Sequence, residues 1–315
     1  MAVKLQQLRY LREIVRAGLS ISEAAKLLHT SQPGVSKQIQ LLEADLGVRV
    51  FERHGKRIVD ITAPGKAVLA IAERLLAETE NLRRVGEEFS NEATGRFTIA
   101  TTHTQARYVL PPVIKRFMAL YPAVQLNIHQ GNPTQVAEQA ASGEADIAIA
   151  TEAFEQFEEL VLLPCYQWNR TVVVLPGHPL LNETPVTLEA IANYPIITYD
   201  FAFTGRSQMN KAFELRGLTP NVVLTAIDAD VIKVYVELGL GIGVIASMAF
   251  DAERDRGLRA IDAAHLFESS TTRIGFRRGA YLRRYVYDFI ELFAPQLKRE
   301  TIEAAIKGGG TQYEL

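Results

Sequence analysis

The chain has 315 residues, 48% hydrophobic and 22% charged, the make-up of an ordinary globular protein of about two domains rather than a disordered or fibrous one. Its single cysteine, Cys165, excludes an intrachain disulfide framework, fits a reducing compartment and reads as a buried inert thiol rather than a metal ligand. The net charge of −2 conceals an asymmetry, because residues 1–66 hold 11 Lys and Arg against 6 Asp and Glu and the remainder holds 23 against 30; a basic head on an acidic body points the head towards a polyanion.

The opening MAVKLQQLRYLREIV has neither an apolar core run nor a small-residue cleavage pattern, and no later run approaches the ~20 apolar residues that span a bilayer. A cytoplasmic protein without membrane attachment is expected. Leu5, Leu8, Leu11, Ile14 and Val15 recur at helical spacing, and Gly18 ends that helix. Ser20 or Ser22 caps a short helix through Leu28. In HTSQPG, Thr30 or Ser31 caps the next helix and Pro33 sits in its first turn, where a missing N–H costs nothing. That helix carries Val35, Ile39, Leu42 and Leu46 and stops near Gly47. VFERHGKRIVDIT reads as two short strands around Gly55, with a basic tip of Arg53, His54, Lys56 and Arg57.

Thr62 and Pro64 start a long helix with Val68, Ile71, Leu75, Leu82 and Val85 along one stripe. A solitary helix of this length cannot bury such a stripe, so either its own domain or a second copy of the chain must cover it. SNEATG, residues 90–95, reads as a hinge. Beyond it the pattern becomes α/β alternation around a mostly parallel sheet. Strands are expected at Phe97–Ala100, Val124–His129 and Asp146–Ala150, and helices at Leu110–Leu120 and Thr134–Ser142. A second such unit begins near Trp168, with strands at Thr171–Leu175, Ile196–Tyr199, Val222–Ala226 and Gly243–Ala246 and helices at Ser207–Arg216 and Asp230–Leu238. Strand Arg273–Phe276 and helix Leu282–Phe293 close the chain, and KGGGTQYEL reads as a disordered tail.

Two constellations carry chemistry. In the head, the helix after the tight turn must bury Val35, Ile39 and Leu42 and present short polar groups at its N-terminal end. This is the requirement of a helix-turn-helix entering the major groove. Thr30, Ser31, Gln32, Pro33, Ser36 and Lys37 occupy that end. Gln pairs bidentately with adenine, Lys reaches guanine acceptors and Pro touches a thymine methyl. Arg53, Lys56 and Arg57 form a wing for phosphates or the minor groove.

The second constellation is TTHTQ, Thr101–Gln105, which brings three hydroxyls, an imidazole and a carboxamide to the end of a strand. Ligands of open α/β sheets bind at such carboxyl ends, and backbone N–H groups of the following helix favour anions. Thr151 follows DIAIA in the same manner, and Thr204 precedes a helix of the second unit. A capping role is the plain alternative for each threonine. Trp168, at the crossover, either lines the cleft or packs in a core. His103 beside two threonines suggests a base and nucleophile, but no acid in the segment can orient it, so no catalytic residue is expected. GLGIGV ends a helix rather than opening one and makes a poor dinucleotide loop.

ISEAAKLLHTSQPGVSKQIQLLEADLGVRVFERHGKRIVDITAPG resembles the N-terminal domain of LysR-type transcriptional regulators, and the resemblance covers nearly the whole chain. IATTHTQARYVLP, HQGNPTQ, IATEA, LPCYQWNR, TGRS, DADVIKVYVELGLGIGVIASMA and IGFRR resemble the branch of that family that governs sulfur assimilation and cysteine synthesis. One departure is Lys37, where many members carry Arg, so a bidentate guanine contact is not carried over. The resemblance implies an α/β protein with a winged helix-turn-helix at 1–62, a dimerising linker helix at 63–89 and a hinge at 90–95. A two-lobed effector domain like a periplasmic binding protein follows at 96–300, with lobe I at 96–166 and 269–300 and lobe II at 167–268, then a tail at 301–315.

It also implies that Thr102, Thr104, Gln105, Thr151 and Thr204, with Trp168 nearby, hold O-acetylserine, N-acetylserine, sulfate or a related sulfur anion, without a cofactor or metal. The implied partners are double-stranded promoter DNA, further copies in a homodimer or homotetramer, and RNA polymerase. Regulation of sulfonate use is the alternative within the branch. A transport solute-binding protein would carry a signal peptide and no helix-turn-helix, and a hydrolase would need an orienting carboxylate.

Overall fold

The computed structural model describes residues 3–55, 57–90, 94–151, 154–200 and 204–308. It divides into two compact units, residues 1–86 and 87–315.

The first unit opens with α1 (Leu5–Arg16), α2 (Ile21–Leu27) and α3 (Gln32–Leu46). Leu8, Leu11 and Ile14 of α1 are buried, but Leu5, expected on the same stripe, is 48% exposed. Of the two serines able to cap α2, Ser20 does so, accepting from the Glu23 N–H at 3.3 Å. Ser31 rather than Thr30 caps α3, accepting from the Gly34 N–H at 3.3 Å. Gly47 ends α3 in the left-handed region at φ 69°, a conformation glycine adopts without a Cβ clash. Strands β1 (Phe51–His54) and β2 (Arg57–Ile61) form an antiparallel hairpin with a bulge between Glu52 and Arg53. The helix α4 runs from Ala63 to Ser90. Val68, Ala72 and Leu76 of α4 pack on the head's core with Leu11, Ile39 and Phe51. Gly65 lies so close to the hairpin that a Cβ there would stand 2.0 Å from the Val50 carbonyl oxygen.

The second unit holds two five-stranded sheets. Lobe I contains β3 (Gly95–Thr101), β4 (Val124–Gln130), β5 (Ile147–Ala150), β6 (Leu160–Trp168) and β12 (Ser270–Arg277), in the order β4-β3-β5-β12-β6. Its first three strands are parallel, and β12 runs antiparallel to both β5 and β6. Phe97, Phe117, Tyr285 and Phe289 make its aromatic centre, with ring centroids 5.1 Å apart for Phe97 and Phe289. These rings come from β3, α5 (Leu110–Leu120) and α10 (Arg284–Phe293), and each buried ring stabilises by about 1.5–3 kcal/mol.

Lobe II contains β7 (Arg170–Val174), β8 (Ile196–Tyr199), β9 (Val222–Ala226), β10 (Ile242–Ala246) and β11 (Arg259–Asp262), in the order β11-β7-β10-β8-β9. Val172 and Val174 enter one core and Val173 the other, as alternation on a strand covered on both faces requires. Two crossovers join the lobes, β6 into β7 and β11 into β12.

Three expectations are corrected. Strands β6 and β11 were not anticipated; β6 carries Pro164 and a Cys–Tyr–Gln–Trp run that breaks alternation. The segment assigned to a tail, 301–315, holds most of α11 (Arg299–Ile306), whose Ile302 and Ala305 are buried in the lobe I core; residues 309–315 lie outside the described residues. The lobe II helix α8 starts at Thr204, three residues earlier than expected, and ends at Leu215. Residues 91–93 of the expected hinge also lie outside the described residues. No helix among the described residues is long and apolar enough to cross a membrane.

Candidate functional site

In the head, Val35, Ile39 and Leu42 are fully buried. Burying this face turns the opposite one outward: Thr30, Ser31, Gln32, Pro33 and Lys37 are exposed and Ser36 is half-buried. The wing is less uniform. Arg57 is exposed. Arg53 instead turns back to Glu43, 3.7 Å away, and is only 21% exposed. Glu43 also accepts from the Val50 and Phe51 N–H groups at 3.0 and 3.3 Å. Arg53 therefore braces the hairpin, and its bridge to Glu43 competes with any phosphate. Lys56 lies outside the described residues.

In the second unit, β3 and β5 are parallel neighbours with Thr101 opposite Ile149, and the buried Thr101 hydroxyl donates to the Ile149 carbonyl at 2.9 Å. This pairing sets Thr102 and Thr151 beyond adjacent strand ends. The chain turns helical at His103, passes through a π-helical stretch at Gln105–Val109 and continues as α5. Such π segments concentrate at functional sites. Thr102 contributes its carbonyl to the first turn, accepting from the Ala106 N–H at 3.1 Å. Thr151 accepts from the Trp168 indole at 3.3 Å. Thr102, Thr104, Thr151 and Trp168 are half-buried. Tyr199 of lobe II is buried, its hydroxyl accepts from the Ala246 N–H at 3.2 Å, and burial holds that hydroxyl above the ordinary tyrosine pKa.

Gln105 is placed differently from expectation. It is 2% exposed, its amide N–H donates to Thr272 at 3.3 Å, and the Tyr166 hydroxyl donates to its carbonyl oxygen. Burial pushes that tyrosine up to about 12, so it stays a donor at neutral pH. Gln105 thus holds β6 and β12 behind the cradle. Thr204 opens α8 at the N-terminal end of that helix, and its side chain lies outside the described residues. A cavity of 460 Å³ lined by Val109, Tyr166, Trp168, Ser247 and Met248 opens beside the crossover.

Residue separation hid one feature. Three groups of the TTHTQ helix converge on one lobe II carboxylate, Asp230 in the first turn of α9 (Ala229–Glu237). Tyr108 donates to it at 2.6 Å, Arg107 stands at 3.3 Å and His103 at 3.8 Å. Burial opposes the Asp230 charge, but the Tyr108 hydroxyl and the Lys233 and Arg107 cations outweigh it and hold the carboxyl below its ordinary pKa. An acid thus stands near His103, supplied by the other lobe, 3.8 Å from its ring nitrogen, beyond hydrogen-bond range. Its oxygens are engaged by Tyr108 and Arg107, so it is not an orienting group for a base. Ligand atoms of His103, Asp228 and Asp230 lie within 4.8 Å of one another. Asp228, however, caps α9 by accepting from the Val231 N–H, and Arg107 and Lys233 already supply the positive charge that a divalent ion would bring.

A helix-turn-helix head followed by a two-lobed α/β domain with hydroxyl side chains at its strand ends is the architecture of a ligand-responsive transcriptional regulator. The chain belongs to the LysR family: residues 5–66 match the bacterial regulatory helix-turn-helix of that family and residues 90–298 match the LysR substrate binding domain. It is 56% identical to HTH-type transcriptional regulator CysB of Burkholderia cenocepacia, over 99% of this chain and 100% of that protein. It is 55% identical to HTH-type transcriptional regulator SsuR of the same organism, over 96% of this chain and 98% of that protein. The solved cofactor-binding domain of the Cbl transcriptional regulator matches with a TM-score of 0.67 at 44% identity, covering 69% of this chain and 96% of that one. The fold expected from the sequence, a helix-turn-helix head with a two-lobed α/β effector domain, is the fold observed.

Proposed function

We propose that this regulator controls genes of sulfur assimilation and cysteine biosynthesis, and that its cleft takes O-acetylserine, N-acetylserine or a sulfate-like anion. The observation that carries the reading is the set of Thr102, Thr104 and Thr151 at adjacent strand ends and a helix start, where backbone and hydroxyl donors suit an oxyanion. Neutral donors hold a small anion without a full countercharge, which suits reversible sensing. Thr204 contributes from lobe II. The identity to CysB supports the sulfur-pathway assignment; the nearly equal identity to SsuR favours sulfonate use as the second reading.

The effector acts by binding one arrangement of the lobes better than another, which changes how paired reader helices span promoter DNA. The paired form is a dimer or tetramer, with RNA polymerase as a further partner and the cytoplasm as its place of action. Calorimetric titration of Thr102→Ala and Thr102→Ser with acetylserine and sulfate tests the cradle. A hydroxyl donating to a charged acceptor is worth about 1.5–3 kcal/mol, so Thr102→Ala binds roughly ten- to hundred-fold more weakly while Thr102→Ser keeps much of the affinity. Wild-type affinity in both variants for both ligands returns the threonines to capping. Stronger binding of an alkyl sulfonate than of either ligand favours the second reading.

A further inference from the structure

We propose that Arg170 is a positioning residue for the effector site: acting through the indole of Trp168, it fixes the Thr151 hydroxyl as a donor towards the bound anion. The inference rests on Thr151 being an effector contact and assigns a role to a residue outside that contact set.

Arg170 opens β7, where the chain leaves lobe I for lobe II, and is 1% exposed. Its guanidinium donates to the Glu268 carbonyl at 3.0 Å and to the Ser270 hydroxyl at 2.9 Å. Both acceptors lie on the returning crossover, and Ser270 is the register partner of Trp168. One planar group therefore ties the outgoing strand to the incoming one. Residues two apart on extended chain share a face, and the guanidinium accordingly lies over the Trp168 ring, 5.1 Å from its centroid. A desolvated cation over an indole face is an attractive contact that fixes the ring. Asn169, between them, holds the crossover from its other side through the Ala264 and Phe267 carbonyls.

The fixed indole then acts on Thr151. An indole N–H donates and never accepts, so at 3.3 Å it uses a lone pair of the Thr151 oxygen. A free threonine hydroxyl rotates to suit its neighbours. One that accepts from a fixed indole turns its own hydrogen away from the ring, which leaves it poised as a donor. An anion needs donors, so this polarity favours the anionic ligand. In this arrangement Trp168 need not touch the ligand at all.

Trp168 is the chain's one tryptophan, so a full-length protein with ¹⁵N-labelled indole gives one indole N–H resonance. In ligand-free protein, Thr151→Val and Arg170→Lys each move that resonance. Ser270→Ala, a milder change at a guanidinium acceptor, moves it in the same direction as Arg170→Lys and serves where that variant fails to fold. Calorimetry with sulfate and O-acetylserine then gives a weakening of about three- to ten-fold for Trp168→Phe. The double variant Trp168→Phe with Thr151→Ala binds no more weakly than Thr151→Ala alone. A resonance unmoved by Thr151→Val overturns the relay. Fully additive losses overturn it too, since they make Trp168 a direct ligand contact. If the resonance moves but affinity for both ligands is the same in every variant, Thr151 is not an effector contact, and the positioning role falls with that reading.

Discussion

The Tyr108 hydroxyl of lobe I donates to the Asp230 carboxylate of lobe II at 2.6 Å, and this bond joins the helix carrying the candidate cradle to the facing lobe. Arg107 and His103 approach the same carboxylate from the same helix. Lys233 stands 3.4 Å from the same carboxylate, is bonded to Asp255 at 2.9 Å and lies 5.2 Å over the Tyr108 ring. A motion that opens the lobes must break this cluster.

The cluster gives a pH signature on both sides of neutrality. The Asp230 carboxyl is held below its ordinary pKa of 3.8, so its stabilisation is complete above that value and is lost as pH falls through the depressed one. Burial and then the Asp230 bond push Tyr108 up to about 12 from 10.0. The folded state keeps the tyrosine proton longer than the unfolded state, so this stabilisation is present below pH 10 and lost between 10 and 12. Asp230→Asn should flatten the acid limb of urea midpoint against pH, and Tyr108→Phe the alkaline limb. Unchanged limbs in both variants refute the assignment.

Gln32→Ala and Lys37→Ala should each cost roughly 1–3 kcal/mol of specific DNA binding and relax base preference. Arg57→Ala should weaken all sequences alike and reduce the salt slope. Arg53→Ala, by contrast, should lower the melting temperature of the head, because Arg53 pairs with Glu43. A gel-shift series with operator variants, read beside thermal melts, separates these outcomes; intact operator preference in Gln32→Ala shows that α3 is not the reader.

Among the described residues, the outer face of α4 is left exposed. Ile71, Leu75 and Leu82 are 49%, 47% and 72% exposed, whereas Ala72 and Leu76 pack inward. A second copy along this stripe buries it. Leu75→Asp puts a charge in that seam, and light scattering of a 1–90 fragment should then give monomer mass. Unchanged dimer mass places the interface elsewhere.

Burial pushes the Cys165 thiol up to about 12, so almost no thiolate exists at pH 8. Ellman's reagent should label it only at the rate of unfolding, and fast labelling of native protein contradicts its burial.

Gly65→Ala should destabilise the head by about 1–3 kcal/mol or more, since the added carbon meets the Val50 backbone oxygen, which cannot swing aside as a side chain would. A urea midpoint equal to wild type shows that the hairpin yields.

Sequence alone determined what is local or periodic. The spacing of Val35, Ile39 and Leu42 gave α3 its buried face and thereby its outward one, because 3.6 residues per turn leave no other choice. The Ser-Gln-Pro turn, Gly47 and the α/β alternation likewise follow from near-neighbour chemistry. Thr102 and Thr151 were legible as strand-end residues for the same reason. Tertiary structure decided what depends on distant partners. Arg53 reads as a free basic tip until the fold sets Glu43 beside it. Gln105 reads as a cleft donor until Tyr166 and Thr272 enclose it, 61 and 167 residues away in sequence. Ile302 and Ala305 sit in a segment read as tail, yet a lobe I core is there to bury them. Asp230 could not be assigned to His103, Arg107 and Tyr108 because no periodicity relates one lobe to the other. The two crossovers, tied by Arg170, join the lobes that carry those side chains.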